Sequence, residues 1–376
     1  MPARWRNRVV TDSFEPGSLL KVFLLAAVLQ EQVAKENDIV FCENGAYTIK
    51  QTTIHDMSPH GWLAVRDVIR LSSNIGAYKI GKELGAVRFY RHLDAFGFNE
   101  KTGVDLLGEN KGEIRPPASW SPIDLAIISF GQGISVTALQ LIAALSSIAN
   151  GGNLMKPYLI DRITDGRGKE VAAFSPVVRR RVLSADTCSR ITAVVKEVVR
   201  SGTGTRARIP GYEVAGKTAT AQKFDPATGG YSEEKVIASF MGYLPADDPR
   251  AAILVVIDEP QRTPYGGVAA APIFQGIAGE LMQYMGVPPT EGDFGKHITL
   301  AQAPHPKKQR GNQQQFARHR MPDLRGLSMR QALTQLEKEK VRIRLAGSGI
   351  LVDQRPHPGT ALKEGSEVFL EFAPPL

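Results

Sequence analysis

The chain has 376 residues, with 46 Lys and Arg against 38 Asp and Glu and a net charge of +8. That length holds a sizeable core plus a small extra domain. Residues 301–376 carry 13 bases against 7 acids, so most of the excess lies in the tail. No aromatic interleaving or nucleic-acid motif accompanies it, which argues against a nucleic-acid partner and for a solvated basic face near an anionic envelope. Cys42 and Cys188 follow no disulfide or metal spacing, and His55 and His60 are not on one helix face; no metal or cofactor is expected.

In chain order, the first predicted element is a helix opening at Pro16-Gly17 and continuing through Val22 to Leu29, apolar on nearly every face and therefore buried. Ser18 falls in its first turn and Lys21 lies three residues on, so the lysine amine is expected to reach the serine hydroxyl. The positive end of the helix dipole favours a developing alkoxide, and a lysine in so apolar a setting should have a lowered pKa and serve as general base. Chance alone supplies about one or two Ser-x-x-Lys words in such a chain. Two further words follow in order: Ser72-Ser73-Asn74, in a helical segment from Ala64 to Leu84, and Lys217-Thr218-Ala219-Thr220. A helix from Ala138 to Asn150 closes on Gly151-Gly152.

Residues 16–205 are expected to be mostly helical. The period then changes: Tyr212–Gln222, Val236–Leu244 and Ala251–Asp258 read as three neighbouring antiparallel strands, covered by a helix from Pro272 to Met285. From Pro288 periodicity is lost, and residues 291–320 read as a flexible basic linker. A small unit follows at residues 321–373: a helix from Ser328 to Glu339 and strands at Val341–Leu345, Ile350–Gln354 and Glu367–Phe372.

The order Ser-x-x-Lys, Ser-x-Asn, Lys-Thr-x-Thr resembles the transpeptidase domain of class B penicillin-binding proteins. So do Glu15-Pro16-Gly17-Ser18, the run from Ser129 to Thr137, Ala149-Asn150-Gly151-Gly152, Gly202-Thr203-Gly204 and the run from Ala238 to Tyr243. The resemblance covers roughly residues 1 to 286. The opening Pro322-Asp323-Leu324-Arg325-Gly326 and the later Gly and Pro turns resemble a single PASTA domain, a small α/β module associated with cell-wall binding or with regulating its host protein. The implied fold class is α+β: an antiparallel sheet plus an all-helical subdomain, as in β-lactamases, at residues 1–290, then the linker and the PASTA module.

The resemblance implies a peptidoglycan D,D-transpeptidase. Ser18 would attack the penultimate D-alanine of a stem peptide ending D-Ala-D-Ala, with Lys21 as base. Ser72 would relay a proton to the leaving amine and Asn74 would hold Lys21 and the substrate. Lys217 would add positive charge, the Thr218 and Thr220 hydroxyls would bind the substrate carboxylate, and the backbone amides of Ser18 and Thr220 would form the oxyanion hole. β-Lactams would acylate Ser18. The family has glycine where Ala219 stands, so altered β-lactam affinity rather than lost activity is expected.

Family members begin with a membrane anchor and a pedestal domain and have a five-stranded sheet. With Ser18 so early, the chain is expected to lack the anchor, the pedestal and two strands, leaving an unpaired edge that lowers stability. Its place would be the extracytoplasmic face of the inner membrane, in a division or sporulation role, beside a membrane glycan polymerase and divisome proteins. Two other classes remain: a hydrolase, either a D,D-carboxypeptidase or a serine β-lactamase, the latter needing a deacylating base that no Glu-x-x-x-Asn segment after the second word supplies, and an inert module that binds the wall.

Overall fold

From Leu20 to Leu29 every residue is buried, and burial on all faces is what an apolar helix at the centre of a core requires. The computed structural model describes residues 6–225, 229–289, 320–336, 341–347, 350–363 and 365–373. Its serine helix runs Leu20–Gln30, and Ser18 sits just ahead of it in a tight 3-10 turn, Gly17–Leu19, rather than in the first α-helical turn. Phe23 meets the rings of Phe96 and Phe98 edge-on, each at 5.0 Å.

The predicted helix from Ala64 to Leu84 is two helices, Val65–Arg70 and Asn74–Leu84. Between them Ser72 adopts φ +63°, a left-handed conformation that costs a non-glycine residue about 1–2 kcal/mol. Ser73 is extended and its Oγ accepts from Gly76 N, capping the second helix. The helix Ala138–Ala149 begins with a reciprocal Thr137–Gln140 cap and ends before Gly151, whose φ of +81° suits glycine. The long helix Ala185–Ser201 packs its apolar side on the serine helix.

The expectation of a mostly helical stretch from 16 to 205 misses several short antiparallel pairs. These include Ile39–Phe41 with Trp62–Ala64, Ala46–Ile49 with Thr52–His55, and Asn153–Lys156 with Val177–Arg181. Strands this short give too little alternation for a period to be read.

The three predicted strands form one antiparallel sheet in the order Ala215–Asp225, Gly230–Leu244, Ala251–Asp258. Lys217 pairs with Met241, Ala219 with Ser239 and Thr220 with Ala238. The middle strand alternates: Met241 and Tyr243 join the core around the serine helix, while Phe240 and Leu244 join a second core under the helix Ala271–Tyr284. There Phe240 and Phe274 meet edge-on at 4.6 Å. Ala251–Asp258 has no second strand neighbour among the described residues.

Contacts divide the chain into Met1–His297 and Ile298–Leu376. In the second unit the strand Glu367–Ala373 runs parallel to Arg342–Gly347 and antiparallel to Ile350–Arg355, and the helix Met329–Leu336 packs beside them. Buried Gln354 accepts from Leu324 N at 2.7 Å and donates to Pro322 O at 2.8 Å, pinning the Pro-Asp-Leu opening to the sheet. Residues 291–319 of the expected linker, the end of the predicted helix beyond Leu336, and Ser348-Gly349 lie outside the described residues.

Candidate active site

The edge strand, the serine turn and the Ser72 turn meet at one place. A Cβ on Gly17 would lie 3.0 Å from Cβ of Ala221 and 3.6 Å from Cβ of Ala219, so the turn rests directly on the strand. Gly17 has φ +53° and its amide donates to Gly131 O at 2.9 Å; a Cβ on Gly131 would in turn collide with Gly17 O. These two glycines let the two backbones touch.

Lys21 and Lys217 are both completely buried, and both point at Ser72. Lys21 Nζ donates to Ser72 O at 2.6 Å, Asn74 Oδ1 at 2.7 Å and Ser72 Oγ at 3.3 Å. Lys217 Nζ donates to Ser72 Oγ at 2.9 Å and to Thr218 O at 3.0 Å. Lys21 is therefore held by the second word rather than by Ser18; among the described residues no hydrogen bond involves Ser18 Oγ. No hydrogen bond joins Lys21 to Ser18 among the described residues; three acceptors on the Ser72 turn take up the amine.

Burial lowers Lys21 well below the ordinary lysine range, the nearby Lys217 lowers it further, and Asp56 opposes both. Burial alone brings Lys217 to about 7. Burial thus favours the neutral amine at both lysines, which is what a lysine base needs.

Thr218 and Thr220 share the opposite face of the strand. Thr218 Oγ1 lies 2.6 Å from Thr203 Oγ1, and Thr220 Oγ1 accepts from Gly266 N at 3.1 Å. Thr220 is exposed and Thr218 buried. Ala219 is buried in the core, its methyl beside the Gly17 turn on the same face of the strand as Lys217.

Several neighbours carry no role that the sequence alone assigns. Thr203 is visible there only as part of a Gly-Thr-Gly word. Glu15, next to the serine turn, accepts from Gly133 N at 2.8 Å and Tyr231 Oη at 3.0 Å, and burial raises its pKa despite those two bonds. Asp56 supports the Ser72 turn from a hairpin end, where no local sequence signal marks it. Among the described residues no cluster of His, Cys, Asp or Glu fits a metal, and no helix is long and apolar enough to cross a membrane.

The model of the penicillin binding protein transpeptidase domain matches residues 2–279, and that of the PASTA domain matches residues 319–374. The chain is 35% identical over 96% of its length to "Stage V sporulation protein D" of Bacillus subtilis, covering 54% of that protein. It is 33% identical over 78% of its length to "Peptidoglycan D,D-transpeptidase FtsI" of Escherichia coli, covering 48% of it. The chain thus spans about half the length of these curated relatives. Penicillin-binding protein 3 of Mycobacterium tuberculosis, solved in complex with ampicillin, superposes with a TM-score of 0.70 at 33% identity, over 76% of this chain and 66% of that one.

Proposed function

The chain belongs to the penicillin-binding protein transpeptidase family, with a PASTA domain after it, and from that premise we propose that it carries peptidoglycan D,D-transpeptidase activity. The observation that carries the reading is the convergence of two buried lysines on Ser72 Oγ, at 3.3 and 2.9 Å, beside the Ser18 turn.

Ser18 attacks the carbonyl of the penultimate D-alanine as neutral Lys21 takes its proton. Backbone amides of Ser18 and Thr220 hold the oxyanion. Ser72 passes a proton to the departing D-alanine nitrogen, and Lys217 refills Ser72. Asn74 keeps Lys21 in line. Thr218 and Thr220 receive the terminal carboxylate. The amine of a second stem peptide then attacks the ester, losing its proton through Ser72 to Lys217, while Lys21 returns its proton to the departing Ser18 oxygen; the cross-link forms and Ser18 is regenerated. A β-lactam acylates Ser18 in the same way, as the relative solved with ampicillin suggests. The site then faces the extracytoplasmic side of the inner membrane, and a glycan polymerase and divisome proteins are its proposed partners.

Incubating the chain with a pentapeptide ending D-Ala-D-Ala and a D-amino acid acceptor is expected to release D-alanine and form the exchanged peptide, read by mass. Release without exchange would make the chain a carboxypeptidase. A folded sample that does neither would leave wall binding as the function.

Ala219 tests the reading at finer grain. Ala219→Gly removes a methyl that props the strand against the Gly17 turn. The expected result is acylation by several β-lactams changed by about threefold to tenfold, without loss, since small displacements near reacting atoms have such effects. Unchanged rates across the series would contradict it.

A further inference from the structure

The Ser72 turn is fastened from below by one carboxylate. Asp56 ends the hairpin of Ala46–Ile49 and Thr52–His55, and its own amide donates to Gly45 O at 3.1 Å. Its Oδ1 accepts from Asn74 N at 2.5 Å and Ile75 N at 3.0 Å, and its Oδ2 accepts from Ser73 Oγ at 2.5 Å. The first two donors are otherwise unpaired amides at a helix start, where a negative charge is most favourable. The Asn74 side chain is held by the same hairpin, its Nδ2 donating to His55 O at 2.9 Å. That bond turns Asn74 Oδ1 toward Lys21 Nζ, 2.7 Å away. Ser72, in its left-handed conformation, stays there only while the surrounding structure holds it.

We propose that Asp56 is a positioning residue for acyl transfer: its carboxylate holds the Ser72–Asn74 turn against Lys21. This rests on the transpeptidase reading. The charged groups facing Lys21 are Lys217 on the edge strand, which lowers its pKa, and Asp56 on the hairpin, which raises it. The Cys42 thiol faces the carboxylate from beside Ser73. A purely structural cap would set how much protein folds. A positioning charge also sets the pH at which Lys21 becomes a base.

The experiment measures the second-order rate of benzylpenicillin acylation from pH 5 to 10 for the unaltered chain, Asp56→Asn and Ser73→Ala, with melting curves for each. Asp56→Asn removes the charge that partly offsets the lowering of the Lys21 pKa. Its maximal rate is expected to fall about tenfold to a hundredfold as the turn loosens, while the acid limb of its profile moves to lower pH. Ser73→Ala keeps the charge and two of the three bonds, so its rate is expected to fall several-fold with the acid limb unmoved. If Asp56→Asn has wild-type rate and profile, or a lower rate with no movement of the limb, the proposal is overturned. Should Asp56→Asn not fold, Ser73→Ala carries the test, and wild-type acylation by it overturns the proposal. No acylation of the folded, unaltered chain would overturn the transpeptidase reading and this inference together, which distinguishes that failure from the others.

Discussion

Lys217→Met is expected to slow acylation of Ser18 by about a hundredfold to a thousandfold and at the same time raise the thermal midpoint near pH 7. An exposed lysine in the unfolded chain titrates near 10.4, whereas burial brings Lys217 to about 7 in the fold. Between those values the unfolded chain binds more protons than the native one, so stability rises with pH across this window and is lowest at and below its acid end. Methionine carries no such cost. The gain is therefore largest near pH 7 and vanishes by about pH 10.4, at about 2–4 °C per kcal/mol recovered. The orphaned groups are few, because Ser72 Oγ keeps Lys21 and only Thr218 O loses its lysine. The kinetic effect has its own signature. Lys217 lowers the pKa of Lys21, so its removal moves the acid limb of acylation to higher pH, opposite to Asp56→Asn. Melting curves and acylation rates from pH 6 to 10 check both; a variant that melts lower throughout would contradict the electrostatic account.

Ser18→Ala is expected to abolish release of D-alanine and formation of any acyl-enzyme while leaving the midpoint nearly unchanged. The serine turn is fixed by Gly17 N on Gly131 O and by Leu19 N on Pro16 O, not by the hydroxyl. Removing an oxygen that no described residue bonds leaves no buried partner unsatisfied, so the change in stability should stay within about 0.5 kcal/mol. Loss of fold in this variant would mean that the hydroxyl is structural.

The words that carry this chemistry are legible in the sequence because each is local: Ser18 and Lys21 share one turn, Ser72 and Asn74 another, and Lys217 to Thr220 a single strand. The sheet strands are legible too, since Met241 and Tyr243 alternate with Phe240 and Leu244 over enough residues to show a period of two. What joins the words is not. Asp56 meets Asn74 across a hairpin end, and Thr203 meets Thr218 through the packing of a loop on the edge strand, so neither contact leaves a periodic trace. Helical spacing points to Ser18 as the partner of Lys21. The fold instead begins the α-helix at Leu20, after a 3-10 turn, and gives Lys21 three acceptors on the Ser72 turn. The long helix Ala185–Ser201 is readable in principle, from Cys188, Ile191, Val195 and Val198 along one side.

The most direct test of the central claim is intact-mass analysis of the chain after incubation with benzylpenicillin, beside Ser18→Ala. The account expects one penicilloyl group that persists on the unaltered chain and is absent from the variant, because Ser18 attacks the lactam and the sequence carries no Glu-x-x-x-Asn segment after Ser72-Ser73-Asn74 to activate water against the ester. A folded chain that remains unmodified, or an adduct that survives in Ser18→Ala, would contradict it.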